Sequence, residues 1–260
     1  MTVKKETIVI GGHLKARLAG TSVPFQKCGL VSVIQHTTET NSLTLADTTS
    51  PQGGEYDALD RITSVGLSIN FREVFTWVWA ALVWGDVTNV PSTTKAAELH
   101  IAEVDGTIAL AEMPLTITGV SNEAGTVDFD EFDDWVMTGS GLEPVPGGAL
   151  EIAIKAVAPG VAYKVSVDYT SAAVDVIQAL TNSGKTFEFL FEGENAAGTQ
   201  KRIEARFWRC RLNPSTSQDW LNVDDFGGNE ATAKVLRDPA KLGNGDSKYF
   251  RIKKELPAVA

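Results

Sequence analysis

The stretch that decides the fold runs from Leu43 to Asn70: "LTLADTTSPQGGEYDALDRITSVGLSIN". In its second half Val65, Leu67 and Ile69, continued by Phe71, alternate with Ser64, Gly66, Ser68 and Asn70. That period of two is the pattern of a strand with one buried face. The first half is polar and carries Pro51, Gly53 and Gly54, so it reads as a long loop leading into the strand. Loops of that length are uncommon in compact domains unless they bind something or are disordered. The segment from about Asn41 to Tyr56 is therefore the candidate functional element.

Working outward, the same alternation recurs along the chain. "TFEFLFEG" sets Phe187, Phe189 and Phe191 on one face and Glu188 and Glu192 on the other. "YKVSVDY" sets Tyr163, Val165, Val167 and Tyr169 against Lys164, Ser166 and Asp168. "LEIAIKA" aligns Leu150, Ile152 and Ile154 as a further strand, and "CGLVSVIQ" is another. In "KRIEARFWRCRL" the apolar parity switches around Trp208, which predicts a bulge or a strand apolar on both faces. Its arginines are expected to pair with acids on a neighbouring strand or subunit. The exception is "NFREVFTWVWAALVWG", which reads as a helix. Asn70 is placed to cap it, with Glu73 three residues on. Phe71, Val74, Phe75, Val78 and Leu82 follow helical spacing, and Gly85 is placed to end it. Trp77, Trp79 and Trp84 lie off that stripe, so either the protein's own sheets or a neighbouring subunit must cover the helix on several sides.

The 260 residues carry a formal net charge of −10, unevenly spread. Between residues 96 and 154 there is no Lys or Arg but twelve acids, among them Glu98, Asp128, Asp130, Glu131, Asp133 and Asp134. Elsewhere 21 acids meet 23 basic residues. This predicts a near-neutral frame, residues 1–95 and 171–260, interrupted by an inserted acidic β module at 96–170 with Gly-rich turns. Acidic surface disfavours specific nucleic-acid binding, though not the passage of DNA that must not stick. No apolar run approaches the roughly 20 residues of a membrane span. The apolar run "TIVI" near the N-terminus is shorter than the ~7–15 residues of a secretory core, so export is not expected. Two cysteines, Cys28 and Cys210, read as small packed hydrophobes in a reducing compartment rather than a bridge or a nucleophile.

Catalytic and cofactor motifs fail on inspection. "NSGKT" (182–186) ends like a phosphate loop, but Ala179 stands where the first glycine belongs and a strand follows, so a hairpin turn is expected. "DFDEFDD" (128–134) has Phe132 where a calcium loop needs a ligand and no glycine after it. His13, His36 and His100 lack partners at metal spacing, and no G-x-S-x-G elbow occurs. We expect no enzyme activity, cofactor or metal.

The order of features resembles a known family. "LAGTSVPFQKCGLVSVIQ" precedes the polar Gly-rich stretch, "YDALDRITSV" follows, then the helix, a variable module and "GKTFEFLFEGEN", with "LRDPAKLGNGDSKYFRIKK" closing the chain. This is similar to the major tail tube proteins of long, non-contractile-tailed bacteriophages, over nearly the whole chain outside 96–170. The resemblance implies a mainly β subunit: a β-sandwich with one flanking helix and an inserted module on the exterior. Six subunits would form a ring whose inner sheets join into one barrel, and rings would stack into a tube. The implied partners are other copies of the chain, a tape-measure protein, and tail terminator and baseplate proteins, with viral DNA passing non-specifically. The implied location is the virion tail, assembled in the host cytoplasm. The resemblance also implies inter-ring contacts through Asn41, Thr44, Asp47, Ser50, Gly53, Glu55 and Tyr56, in a loop that is mobile until the adjacent ring orders it. Competing readings are a monomeric Ig-like or carbohydrate-binding sandwich, with Trp135, Trp208 and Trp220 as its sugar platform, and a related terminator or baseplate ring protein.

Overall fold

A computed structural model describes residues 7–49, 51–197, 201–215, 217–218, 220–221, 223 and 227–255. In chain order it contains β1 (Ile10–Leu18), β2 (Gln26–Lys27), β3 (Val31–Ala46), β4 (Glu55–Phe71) and helix α1 (Thr76–Leu82). Next come β5 (Asp86–Val90), β6 (Thr94–Ala102), β7 (Ile108–Ala109), β8 (Pro114–Asn122), β9 (Asp128–Phe129), β10 (Trp135–Met137) and β11 (Gly141–Pro144). Helix α2 (Ala149–Lys155) precedes β12 (Tyr163–Ser171), β13 (Val174–Gln178), β14 (Thr186–Asn195), β15 (Arg202–Leu212), β16 (Asn229–Val235) and β17 (Phe250–Lys254). The protein is thus mainly β, built from several sheets. No helix among the described residues is long and apolar enough to cross a membrane.

The chain divides into two compact units, one of residues 1–87 with 177–260 and the other of 88–176. The second begins eight residues earlier and ends six later than the acidity-based boundaries of 96 and 170, because β5 and β13, which carry the chain out and back, pair with each other.

In the first unit the strand order is β2-β1-β14-β15-β16-β4-β3, with β17 also paired to β15. Leu14 and Ala16 near one end of this path and Val65, Leu67, Ile69 and Phe71 near the other share one core. The sheet therefore curls over itself in the manner of a sandwich. Phe187 and Phe189 of β14, Phe207 and Cys210 of β15, and Ala231 and Ala233 of β16 fill the interior. The parity switch at Trp208 is a bulge: Phe189 pairs with Phe207 but Phe187 with Cys210, leaving one extra residue in β15. Gly12 lies opposite Gly193, and a Cβ there would come within 2.3 Å of the Glu192 carbonyl oxygen, so only glycine permits that close approach.

Three expectations about local structure are corrected. Half of the loop at 41–56 is strand: β3 runs through Asn41 and Thr44 to Ala46, and β4 begins at Glu55. Thr44, Leu43 and Leu45 already alternate, and their cross-strand partners Ala58, Leu59 and Asp57 complete a ribbon. The anticipated unstructured approach is a β arm. Second, the helix begins at Thr76, not Asn70. Asn70 and Phe71 finish β4, paired to both β3 and β16, and this pairing overrides the helical spacing of Phe71. Phe75 stands at the N-cap without a side-chain cap, so the Asn70–Glu73 capping box does not form. Third, "LEIAIKA" is helix α2. Leu150 is buried and Ala153 and Ile154 pack against the same core, at helical spacing, while Ile152 is exposed. Glu151 ties to Lys155 one turn on, and Asp134 Oδ1 accepts the Ala149 amide at 2.6 Å.

The second unit holds a four-stranded sheet, β6-β12-β8-β9, and a three-stranded sheet, β10-β11-β7. Val165, Val167 and Tyr169 of β12 pack with Leu142, Leu150 and Trp135 in a core of their own.

Candidate functional site

The arm is the feature the fold itself does not explain. From Gln35 to Ala46 and from Glu55 to Thr63, β3 and β4 have no buried or half-buried residue. Burial resumes at Ser64 and is complete at Val65, Leu67, Ile69 and Phe71. A bulge marks the change: Glu39 pairs with Ser64 but Thr40 with Ile62, leaving Thr63 extra. Register places Leu43, Leu45 and Leu59 on one face of the arm, with Asp57, Asn41 and Arg61. Leu45 is 60% and Tyr56 69% exposed. At the tip, Thr49 donates its amide (2.7 Å) and its hydroxyl (2.5 Å) to Asp47 Oδ1. These bonds hold the Asp47 carboxyl below its ordinary range. Gly53 and Gly54 adopt φ of 67° and 136° to close the turn.

Of the residues read as contacts, Asn41 and Thr44 thus lie on β3, Asp47 and Gly53 in the turn, and Glu55 and Tyr56 on β4, with Tyr56 at a second bulge. Ser50 lies outside the described residues. Of the residues read as a core helix, Val78 and Leu82 are buried on α1. Phe71 is core through β4, and Val74 and Phe75 precede the helix, Val74 packed against that core.

Sequence reading missed a cleft. The curled sheet does not close, since β1 and β3 do not pair. Between them opens a space of about 660 Å³ lined by Ile8, Ile10, Gly11 and Gly12, by Val31 to Ile34 and His36, and by Phe191, Ile203, Ala205, Phe207, Ile252 and Lys254. Its described lining contains no acid. Alternating apolar positions in "TIVI" and "RIKK" hinted at it, but their convergence is a matter of tertiary structure.

The opposite face of the β1, β14, β15 and β17 strands is paved with ion pairs. Glu188, only 5% exposed, accepts from Arg17 Nε at 2.7 Å and Arg206 Nε at 2.6 Å. The Phe25 ring lies 4.5 Å from the first guanidinium and 5.4 Å from the second. Lys15 pairs with Glu192, Lys253 with Glu204 and Arg202 with Glu255. The expected pairing of the arginines in 202–211 with neighbouring acids is therefore present for Arg202 and Arg206.

The remaining candidates resolve as structure. In the second unit Tyr169 donates its hydroxyl to Glu98 Oε2 at 2.8 Å, and His100 Nε2 lies 2.7 Å from Oε1. Burial raises the Glu98 carboxyl, but bonds from the Ala111 amide, Tyr169 and His100 outweigh it and hold the group below its usual range. Burial, then the bond to Glu98, pushes the Tyr169 hydroxyl up to about 12. This cluster is a tie between β6 and β12, with no activated nucleophile. "NSGKT" connects β13 and β14, which belong to different sheets, so it is not the hairpin turn that its residues suggested. Asp134 Oδ2 accepts the Asp130 amide within "DFDEFDD", and no group of metal-ligating side chains occurs among the described residues. Trp135 and Trp208 are buried and only Trp220 is exposed, so the three do not form a sugar platform. Burial pushes the Cys28 thiol up to about 12 and raises Cys210 as well, leaving both inert.

Over residues 7–253 the chain matches the model of a family described as "Protein of unknown function UCP028589". No curated protein matches it.

Proposed function

The chain belongs to that family, and on the geometry above we propose that it is a self-assembling structural subunit, the tube protein of a long non-contractile phage tail. The uncovered arm carries the proposal. A two-stranded ribbon is marginally stable at best in water and needs a third strand or a packing surface. None of the described residues covers this one, and another copy supplies the cover.

Two further features agree. Long strand edges are normally blunted by Lys, Pro or inward charge. Over its sixteen residues β3 carries one formal charge, Glu39, and no Pro, Lys or Arg, so it invites pairing. The β1, β14, β15 and β17 strands form a layer whose borders, β17 and much of β1, are also unpaired among the described residues. Joining such layers edge to edge removes the borders, and a head-to-tail contact that closes gives a ring. In a six-membered ring the ion-paired face of that layer would form the lumen wall. Its alternating signs offer DNA no continuous basic track. The acidic second unit would decorate the exterior, and a tape-measure protein, terminator and baseplate would bound the tube.

Negative-stain microscopy of the purified protein tests this. Regular striated tubes are expected, isolated rings would indicate a terminator or hub, and featureless monomers would overturn the reading. Replacing residues 41–61 by Asn-Gly joins the paired residues Thr40 and Ile62 by a two-residue turn. That variant should fold, remain soluble and form no tubes. Tubes of normal length would refute the arm's role.

A further inference from the structure

The arm and the cleft raise complementary problems. One is a leucine-bearing surface that none of the described residues covers, the other a mostly apolar hollow, and both belong to one chain. Resting on the assembly reading, we infer that the arm of one copy seats its leucine face in the β1–β3 cleft of another.

Chemistry and charge agree with that occupant. Leu43, Leu45 and Leu59 lie on that face beside Asn41, Asp57 and Arg61. The cleft offers Ile10, Val33 and Ile252, which are 41%, 51% and 58% exposed in the single chain. Seating the arm would remove both sets from water at once. Residues 40–62 hold four acids, Asp47, Glu55, Asp57 and Asp60, against one base, Arg61. Among the described residues the cleft lining holds no acid. The ribbon's acids therefore meet no like charge among the described residues of the hollow. The hollow is also bordered by β3, which has no neighbour on its second side among the described residues, and by the part of β1 beyond its short pairing with β2, so an entering strand finds backbone to pair with. The contact is heterologous: arm and cleft are different surfaces, so each copy gives one and receives one, as a growing assembly requires.

Disulfide trapping on the full chain tests the contact, since Cys28 and Cys210 are buried and unreactive. Leu43→Cys and Ile252→Cys are purified separately, mixed, allowed to assemble and mildly oxidised. Leu59→Cys with Val33→Cys is run in parallel. A mixed dimer is expected from at least one pair, at least tenfold above either variant alone. The double variant Val33→Asp/Ile252→Asp changes only exposed positions, so it should melt like the wild type yet lose at least ten-fold in sedimentable assembly. Wild-type particles with both cysteine pairs silent overturn the arm-in-cleft contact and leave the assembly reading standing. Normal assembly of the double aspartate variant assigns the cleft to another occupant and overturns it equally. A wild-type chain that never assembles overturns both.

Discussion

The two ends of the β3–β4 ribbon are made by the same two strands and do opposite things. Beyond Ser64, β4 buries Val65, Leu67, Ile69 and Phe71 and pairs on both sides, with β3 and β16. Before Thr63 the same strand pairs only with β3 and buries nothing. Hydrogen-bonded geometry is thus continuous along the ribbon while its energetic support is not. Strand structure can be propagated from a packed base well past the point where packing ends, and the extension then costs the fold little to change.

The largest effect that would break this contrast lies at the base. Phe71→Ala removes a ring that is 1% exposed, and should lower stability by about 3–5 kcal/mol, read by denaturant melts. A loss no larger than that of an arm substitution would mean the base is not the support. Next, hydrogen exchange on the free subunit should divide at the bulge. Amides of 66–71 should exchange about a hundredfold more slowly than those of 55–62, because local opening energies range from near zero up to the global value. Uniform protection would show that the arm is independently stable, and protection of 55–62 that appears only on assembly would sharpen the case. Smaller still, Leu59→Ala on the exposed arm should move stability by no more than about 0.5 kcal/mol. The smallest effect is at the tip. The Asp47 carboxyl is held below its ordinary 3.8 by the Thr49 hydroxyl and amide. Its contribution to tip order is therefore complete above that ordinary value and is lost as pH falls through the depressed one. The Thr49 amide signal should titrate below pH 3.8 in the wild type and not in Asp47→Ala, with the melting temperature unchanged.

Legibility followed burial. Strands whose apolar residues alternate were readable: Phe187 and Phe189 in β14, Val165 and Val167 in β12, and the parity switch at Trp208 that proved to be a bulge. The arm was not readable, because the apolar/polar contrast that marks a strand comes from facing a core, and the arm faces none. Its Thr, Asp and Gly content read as loop, although Leu43, Leu45 and Leu59 were the available signal. Phe71 fitted both periods, and only the presence of β16 on its far side decides for the strand. In α2 the regular spacing of Leu150, Ile152 and Ile154 pointed to a strand, while Leu150, Ala153 and Ile154 carry the burial. The cleft joins residues from Ile8 to Lys254, a convergence that no local pattern encodes.

The extra residue at Thr63 has one more consequence. On the proposed assembly it is a seam at which inheritance can be cut: the arm's lettering answers to a partner, that of the packed base to the protein's own interior. Transplanting everything between Thr40 and Ile62 from one relative to another should move partner choice as a cassette, while the recipient body folds as before.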